Sequence, residues 1–263
     1  MGVIVYNGLS SEDYGILVEH PPVYQVPEKD YEAIHIEGRN GDIIVDKGGY
    51  QNVERSYDIA FANIEHGYEQ ETAKVAEWLC SSRGYNRLED SYDKDHYRLA
   101  YLQDSVDFSN LFGKAGEGTI TFNCKPQRFL KSGEKVFKVP NDGIIVNPTI
   151  FESEPVFLIY GHLPPAASTT YRDSYGLNIV QNGKTLHTAY VRISNKTVSS
   201  KGFPEYFLLD CSGKFCLGSN GRSYNSETII TNGFPKLPGG KFQITVVGEN
   251  VDAVYVIPNW WRI

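Results

Sequence analysis

FPKLPGG (residues 234–240), QITVVG (243–248) and VYVIPNWWRI (254–263) are the segments of the sequence that say most about the fold. The first is a corner rich in proline and glycine, and the other two have the alternation of strands. A turn is predicted between them, at residues 248–250. Because two tryptophan side chains are seldom left in water, the last strand is predicted to lie within a sheet.

The composition favours a chain built mainly of sheets. Its 263 residues are 41% hydrophobic and include 18 tyrosines, 13 phenylalanines and a single methionine, which is a β-rich globular profile. The length suffices for two ordinary domains or one large all-β domain. A formal net charge of −7 and a pI near 5.4 argue against a surface that coats nucleic acid.

The sequence carries no signal for a membrane or for export. No stretch approaches the roughly 18 uninterrupted apolar residues that a membrane span needs. The first residues, MGVIVYNG, lack the basic start and the long apolar run of a signal peptide. We therefore expect the protein to be made and folded in a cytoplasm.

One helix is predicted, over residues 70–80. Its apolar side chains recur at helical spacing and form the stripe Thr72, Val75, Ala76 and Leu79. Acidic residues precede it, and Gly84 is a suitable left-handed stop. Residues 97–102 and 118–124 instead alternate with the period of two that is typical of strands.

Turn-forming residues are dense between Pro126 and Pro148, which places a domain boundary there. We assign residues 1–138 to a first domain and 139–263 to a second. The second half holds several short strands separated by turn signals, including the Asn182-Gly183 step of a tight hairpin. This pattern predicts a β-sandwich without a helix of appreciable length.

Motifs for catalysis, phosphate binding or metal binding are missing from the sequence. Cys211 and Cys216 are the only close pair among the four cysteines, and no histidine lies nearby to complete a zinc site. They are interpreted as reduced thiols on a strand pair, although pairing across a hairpin stays open. We therefore expect no metal, no cofactor and no enzymatic activity.

Three further segments could carry a site. The acidic residues 89–96 are interpreted as a solvated hairpin tip, since no glycine lies where a calcium loop needs one. The turn of Gly38, Arg39, Asn40 and Gly41 could hold an anion, but we favour a tight turn whose arginine fixes a neighbouring chain or loop. Sugar stacking is the alternative hypothesis for the terminal aromatics Tyr255, Trp260 and Trp261. Adjacent strand residues point to opposite faces, so at most one tryptophan lies in the core.

An ordered set of motifs resembles the distal tail protein (Dit) family of phages with long, non-contractile tails. The opening YNGLSSEDYGI (6–16) is of the family's type, IEGRNGD (36–42) is similar to its PGRNG turn, and FNCKPQRF (122–129) to its exit from the first domain. FPKLPGG (234–240) and IPNWWR (257–262) resemble its closing elements. Two motifs depart from the family's pattern. Glu37 occupies a position of the turn where the family commonly has proline, and in the closing element Asn259 replaces the family's arginine and a second tryptophan is added.

The resemblance implies a mainly-β structural protein: a tail-tube-like N-terminal domain with one helix, followed by a galectin-like β-sandwich. It implies a homo-hexameric ring at the tail tip of the virion, assembled in the host cytoplasm. The ring would join the tail tube protein to a tail-associated lysin or fibre protein and anchor receptor-binding proteins. DNA would pass through its channel without specific binding, for which an acidic chain is suited.

Two other hypotheses come from different functional classes. A carbohydrate-binding adhesin would use the sandwich and its terminal aromatics to recognise saccharide of the host cell wall. A tail-associated hydrolase would need converging carboxylates or a histidine-based nucleophile, for which the sequence has no motif. We expect the compact form of the family, because the chain is too short for an inserted carbohydrate-binding module.

Overall fold

The computed structural model describes residues 1–62, 68–111, 115–163 and 172–263, and its contacts divide the chain into two compact units. The first unit contains Met1–Phe129 together with Ile263, and the second contains Leu130–Arg262. Sheets dominate both units, which confirms the predicted mainly-β class. The domain assignments 1–138 and 139–263 stay a prediction.

The first unit consists of short strands around one helix. The helix α1 (Tyr68–Cys80) begins close to its predicted start and ends at its predicted end. The strands are β1 (Ile4–Tyr6), β2 (Leu9–Ser10), β3 (Ile16–Val18), β4 (Lys29–Ile34), β5 (Ile43–Tyr50), β6 (Val53–Ala62), β7 (Asn86–Asp90), β8 (His96–Leu102), β9 (Phe108–Leu111), β10 (Ala115–Cys124) and β11 (Arg128–Leu130), the last of which spans the division between the units.

Six of these strands close into a barrel. They are hydrogen-bonded in the order β1-β7-β8-β10-β6-β3. Gly2 and Val18 complete the circle, because each backbone N–H donates to the carbonyl oxygen of the other, at 2.8 and 2.9 Å. Closure removes the open edges that such a sheet would otherwise present. The buried interior includes Ile4, Tyr57, Ile59, Ile120 and Phe122.

The helix α1 packs on this core through Val75, Trp78 and Leu79. The predicted stripe was wrong at Ala76, which is exposed, because the large Trp78 side chain takes the core position instead. The Trp78 ring stacks on Tyr14 with centroids 4.8 Å apart, and its indole N–H donates to the carbonyl oxygen of Tyr6 at 3.2 Å. Trp78 thus ties the helix to the start of the chain.

The second unit is a sandwich of two five-stranded antiparallel sheets, in the orders β12-β21-β14-β17-β18 and β13-β20-β15-β16-β19. Its strands are β12 (Phe137–Lys138), β13 (Ile144–Asn147), β14 (Val156–Gly161), β15 (Arg172–Gln181), β16 (Lys184–Ser194), β17 (Tyr206–Asp210), β18 (Phe215–Gly218), β19 (Thr228–Thr231), β20 (Gly240–Val247) and β21 (Val251–Ile257). The short strand β22 (Trp261–Arg262) belongs to neither of these two sheets. Alternate residues of both sheets fill one core, as the short strands predicted.

Two local features of the sandwich compare directly with the sequence. Asn182 and Gly183 both have positive φ, 52° and 75°, and they join β15 to β16 in the predicted hairpin. The short helix α2 (Asn195–Lys201) was not predicted. Seven residues give too few turns for a hydrophobic period, and the capping Ser194, which accepts from the Thr197 N–H, is its main sequence signal.

We predict that Trp78→Ala lowers the free energy of unfolding by about 3–5 kcal/mol, because it empties a large buried site and removes an indole hydrogen bond. Urea denaturation followed by circular dichroism measures the loss. Glu77→Ala, at an exposed position of the same helix, is the control and should change stability by less than about 0.5 kcal/mol. Equal effects of the two substitutions would contradict the packing described for α1.

Candidate functional surfaces

The strands β4 and β5 form a two-stranded hairpin that pairs with no other strand in the described part of the chain. We call residues 29–50 the arm. Most of its side chains are exposed. A two-stranded hairpin is at best marginally stable in water without a surface to cover it.

Both faces of the arm carry apolar side chains. Residues paired directly across the strands share a face, so Ile34, Ile43 and Val45 lie on one face of the ladder. Tyr31 and Ile44 lie on the other, where Ile44 is 58% exposed. Exposed apolar side chains grouped in this way are typical of interaction surfaces.

The predicted glycine-flanked turn forms the tip of the arm. Gly38 and Gly41 have φ of 76° and 79°, a conformation that favours glycine. Beside the turn, the His35 ring lies 3.1 Å from an Asp42 carboxylate oxygen. Arg39 makes no side-chain hydrogen bond or ion pair to the described residues of its own chain, so its guanidinium is available to a partner.

The carboxyl end has one buried and one outward tryptophan. Trp260 is only 5% exposed and packs against Phe242 in the sandwich core, so it is not accessible to a saccharide. Trp261 stacks on Phe151 at 4.4 Å, and its indole N–H donates to the carbonyl oxygen of Glu152 at 2.8 Å. The sequence predicted that at most one of the two tryptophans lies in the core, and in the structure this is Trp260, which immediately precedes β22.

Tyr255 lies on the outward face of β21, because its neighbours Val254 and Val256 are both buried in the core. Two tyrosines that the sequence analysis did not single out lie beside it. The ring of Tyr160 is 5.4 Å from that of Tyr255 and 5.1 Å from that of Tyr206. Tyr160 follows the buried Ile159, and Tyr206 precedes the buried Phe207. Because neighbouring strand residues point to opposite faces, this alternation in the sequence indicates that both tyrosines point outward.

The acidic segment 89–96 forms the expected hairpin between β7 and β8, but the expectation of a wholly solvated tip was wrong. The side chain of Asp90 is only 5% exposed, and its Oδ2 accepts from the guanidinium of Arg55 at 2.7 Å and from the Tyr57 hydroxyl at 2.8 Å. Its Oδ1 accepts from the backbone N–H groups of Tyr92 and Asp93. Asp90 therefore organises the turn and binds a second element at once.

The ion pair between Arg55 and Asp90 spans the barrel. In the closed strand order, β6 and β7 are separated by two strands in either direction, so they lie on opposite sides. Burial raises the pKa of Tyr57 well above its ordinary value, which keeps its hydroxyl as a donor to Asp90. Arg55, Tyr57 and Asp90 therefore bind one another within the barrel.

The described residues contain no group of histidine, cysteine and acidic side chains that could hold a metal ion. No described helix is both long and apolar enough to cross a membrane. Cys211 and Cys216 are buried free thiols near the β17–β18 hairpin, and Cys124 is a third. Burial raises the pKa of Cys124 and of Cys216 to about 11, so both are protonated at neutral pH.

This mainly-β, two-unit fold is similar to that of a phage tail protein of known structure. The chain matches the crystal structure of the SPP1 Dit protein, described as a paradigm of the hub adsorption apparatus of phages that infect Gram-positive hosts, with a TM-score of 0.72 over 97% of each chain. The two sequences are 14% identical, and the likeness establishes a Dit-like fold. No protein-family model and no curated protein matches the sequence.

We predict that one thiol per chain, that of the exposed Cys80, reacts rapidly with Ellman's reagent at neutral pH. The other three cysteines are buried, and burial raises the pKa of each. All four should react after unfolding in guanidinium chloride. Cys80→Ser should abolish the fast phase, whereas a disulfide between Cys211 and Cys216 would leave only two reactive thiols in the unfolded chain.

We further predict that Asp90→Leu destabilises the protein by about 3–5 kcal/mol, because it leaves the Arg55 charge buried without its partner. The double variant Arg55→Met/Asp90→Leu should recover part of this loss, since it removes both charges. Asp95→Ala, at an exposed position of the same hairpin, is the matched control and should change stability by less than about 0.5 kcal/mol. Urea denaturation of the four proteins gives the comparison, and a double variant less stable than Asp90→Leu would contradict a cross-barrel ion pair.

Proposed function

We propose that this chain is a structural hub protein of the distal end of a phage tail. The observation that carries the proposal is the likeness to SPP1 Dit, a hub adsorption protein, over 97% of both chains. The ordered motifs from YNGLSSEDYGI (6–16) to IPNWWR (257–262) also support it, because they resemble the motifs of the Dit family.

In this proposal six copies close into a homo-hexameric ring. The arm supplies the physical reason for self-association. Its two apolar faces, which include Ile34, Val45 and Ile44, are exposed in the single chain. Covering each large aliphatic side chain contributes about 1.5–3 kcal/mol. Arg39, at the tip, is placed to pair with a carboxylate of the adjacent copy.

The ring is proposed to lie at the tail tip of the virion, after assembly in the host cytoplasm. Its partners would be the tail tube protein on one side, and a tail-associated lysin or fibre protein and receptor-binding proteins on the other. DNA would pass through the channel without specific binding. The net charge of −7 supports this part of the proposal, because an acidic protein repels phosphate.

The role is structural and needs no cofactor. Three ionisable groups with shifted pKa values, those of Arg55, Tyr57 and Asp93, are engaged in ion pairs or hydrogen bonds within the first unit. A hub requires rigid surfaces and a defined stoichiometry, both of which two β units with separate cores can supply.

The test is the mass of the purified protein by light scattering over a range of concentrations, with negative-stain electron microscopy of the largest species. The expected result is a species of six times the 29.5 kDa chain mass, in the form of a ring with a central hole. A monomer at every concentration, including after addition of the tail tube protein, would overturn the ring.

We predict that Ile44→Asp blocks this assembly and leaves the fold intact, because Ile44 is exposed in the single chain but covered in the proposed ring. Burying an unpaired carboxylate at the seam is strongly unfavourable. Ile150→Asp is the matched control, since Ile150 is 86% exposed and belongs to the second unit, not to the arm. The melting temperatures of both variants should equal that of the parent, and a hexamer formed by Ile44→Asp would exclude the arm as the seam.

A further inference from the structure

The outward tyrosines of the sandwich border a groove of about 600 Å³ at one end of the sheet that contains β14 and β21. Tyr160 and Tyr255 line it, together with His162, Glu205 and Asp252. A sheet face turned to water normally carries polar side chains. Aromatic side chains here, beside hydrogen-bonding groups, are the composition of a small-molecule site.

The three tyrosine rings form one continuous aromatic surface. Tyr160 lies between the other two, on the central strand of the three, with ring centroids 5.1 Å from Tyr206 and 5.4 Å from Tyr255. The planes differ by 43° and 65°. Rings this close leave no space between them for a ligand, so a ligand must lie on top of them. Such a surface is apolar across its rings and polar at its hydroxyl groups.

A β-bulge brings a carboxylate to the same groove. Tyr160 pairs with Ala253, but the next residue, Gly161, pairs with Val251, so Asp252 is the extra residue of β21. Bulges commonly re-aim side chains beside functional sites. The carboxylate of Asp252 is bound to the His162 ring at 2.8 Å, yet it remains half exposed and able to accept further hydrogen bonds.

The charge of the groove selects among ligands. Glu205 and Asp252 are both acidic. Partial burial and the nearby Glu205 carboxylate raise the pKa of Tyr160, which is the sign of a site that disfavours negative charge. Anionic wall polymers and nucleotides are therefore poor ligands. Hydroxyl or amino groups that donate to carboxylates are suitable ones.

We propose that this groove binds an oligosaccharide of neutral or amino sugars, with a pyranose ring stacked on Tyr160 and Tyr255 and its hydroxyl groups bound by Glu205 and Asp252. The apolar C–H face of the sugar covers the rings, and its polar edge meets the carboxylates. The site gives the hub a direct contact with a glycan surface. It does not depend on the ring, because every residue named lies within the second unit of one chain.

The experiment is a screen of the purified full-length protein against an array of tetrasaccharides of glucose, galactose and N-acetylglucosamine, their amino-bearing forms, and poly(glycerol phosphate). The best neutral or amino sugar is then titrated by calorimetry. We expect a dissociation constant of about 1 mM or lower and no binding of poly(glycerol phosphate). Binding of the anionic polymer alone, or of nothing on the array, would overturn the proposal.

Substitutions in the groove test whether the saccharide binds there. Tyr160→Ala and Tyr255→Ala should each weaken it about ten-fold, and Asp252→Asn about five-fold. Tyr255→Phe keeps the ring and should retain most of the affinity, so it separates loss of stacking from loss of fold. Tyr190→Ala, on a strand of the other sheet, is the control and should leave the affinity unchanged.

Two further outcomes would overturn the assignment. Unchanged affinity in Tyr160→Ala and Tyr255→Ala would place the saccharide elsewhere on the protein. Displacement of the sugar by tetramethylammonium at equal concentration would identify an organic-cation site, since aromatic rings beside carboxylates also attract alkylammonium groups. Neither outcome changes the mass of the assembled protein that light scattering measures. The saccharide site and the hub role are therefore tested independently of each other.

Discussion

The carboxylate of Asp90 is the constraint on which the first unit depends. One oxygen fixes the turn between β7 and β8 through two backbone N–H groups, and the other receives Arg55 and Tyr57 from the opposite wall of the barrel. A buried ion pair repays its desolvation only when its geometry is good and its remaining hydrogen-bonding capacity is used. Here all of these donors converge on a single carboxyl group, so the register of opposite strands is fixed relative to one turn.

Barrel closure imposes a second requirement, at the start of the chain. A side chain at Gly2 would collide with the ring of Tyr92, which follows the Asp90 turn. A larger residue at position 2 would therefore displace the Tyr92 ring beside the reciprocal hydrogen bonds between Gly2 and Val18. The closed barrel and the Asp90 network lie in the same unit as the arm, whose apolar side chains remain exposed.

Local patterns predicted local structure well. The helix α1, the Asn182-Gly183 hairpin and the strands β20 and β21 are all specified by neighbouring residues, and each is found in the structure. The predicted last strand, 254–263, is instead interrupted after Ile257, where Pro258 and the positive φ of Asn259 break it before β22. Contacts between segments far apart in the sequence could not be predicted from these local patterns. The burial of Asp90 depends on Arg55 across a closed barrel, and the tyrosine surface depends on which three strands adjoin. The strand β4 and its pairing with β5 were missed because β4, KDYEAI, mixes charged and apolar residues.

An arm that reaches a neighbour makes a head-to-tail interface, in which each copy gives one surface and receives another. Such contacts close into a ring when the rotation between copies fits, and otherwise they continue as an open filament. The proposed hexamer closes only if all six interfaces form, so one defective arm leaves the ring open. In a mixture with intact copies, a small fraction of arm-defective chains would therefore lower the yield of closed rings by much more than that fraction. The exposed hairpin makes the particle dependent on the uniformity of its subunits.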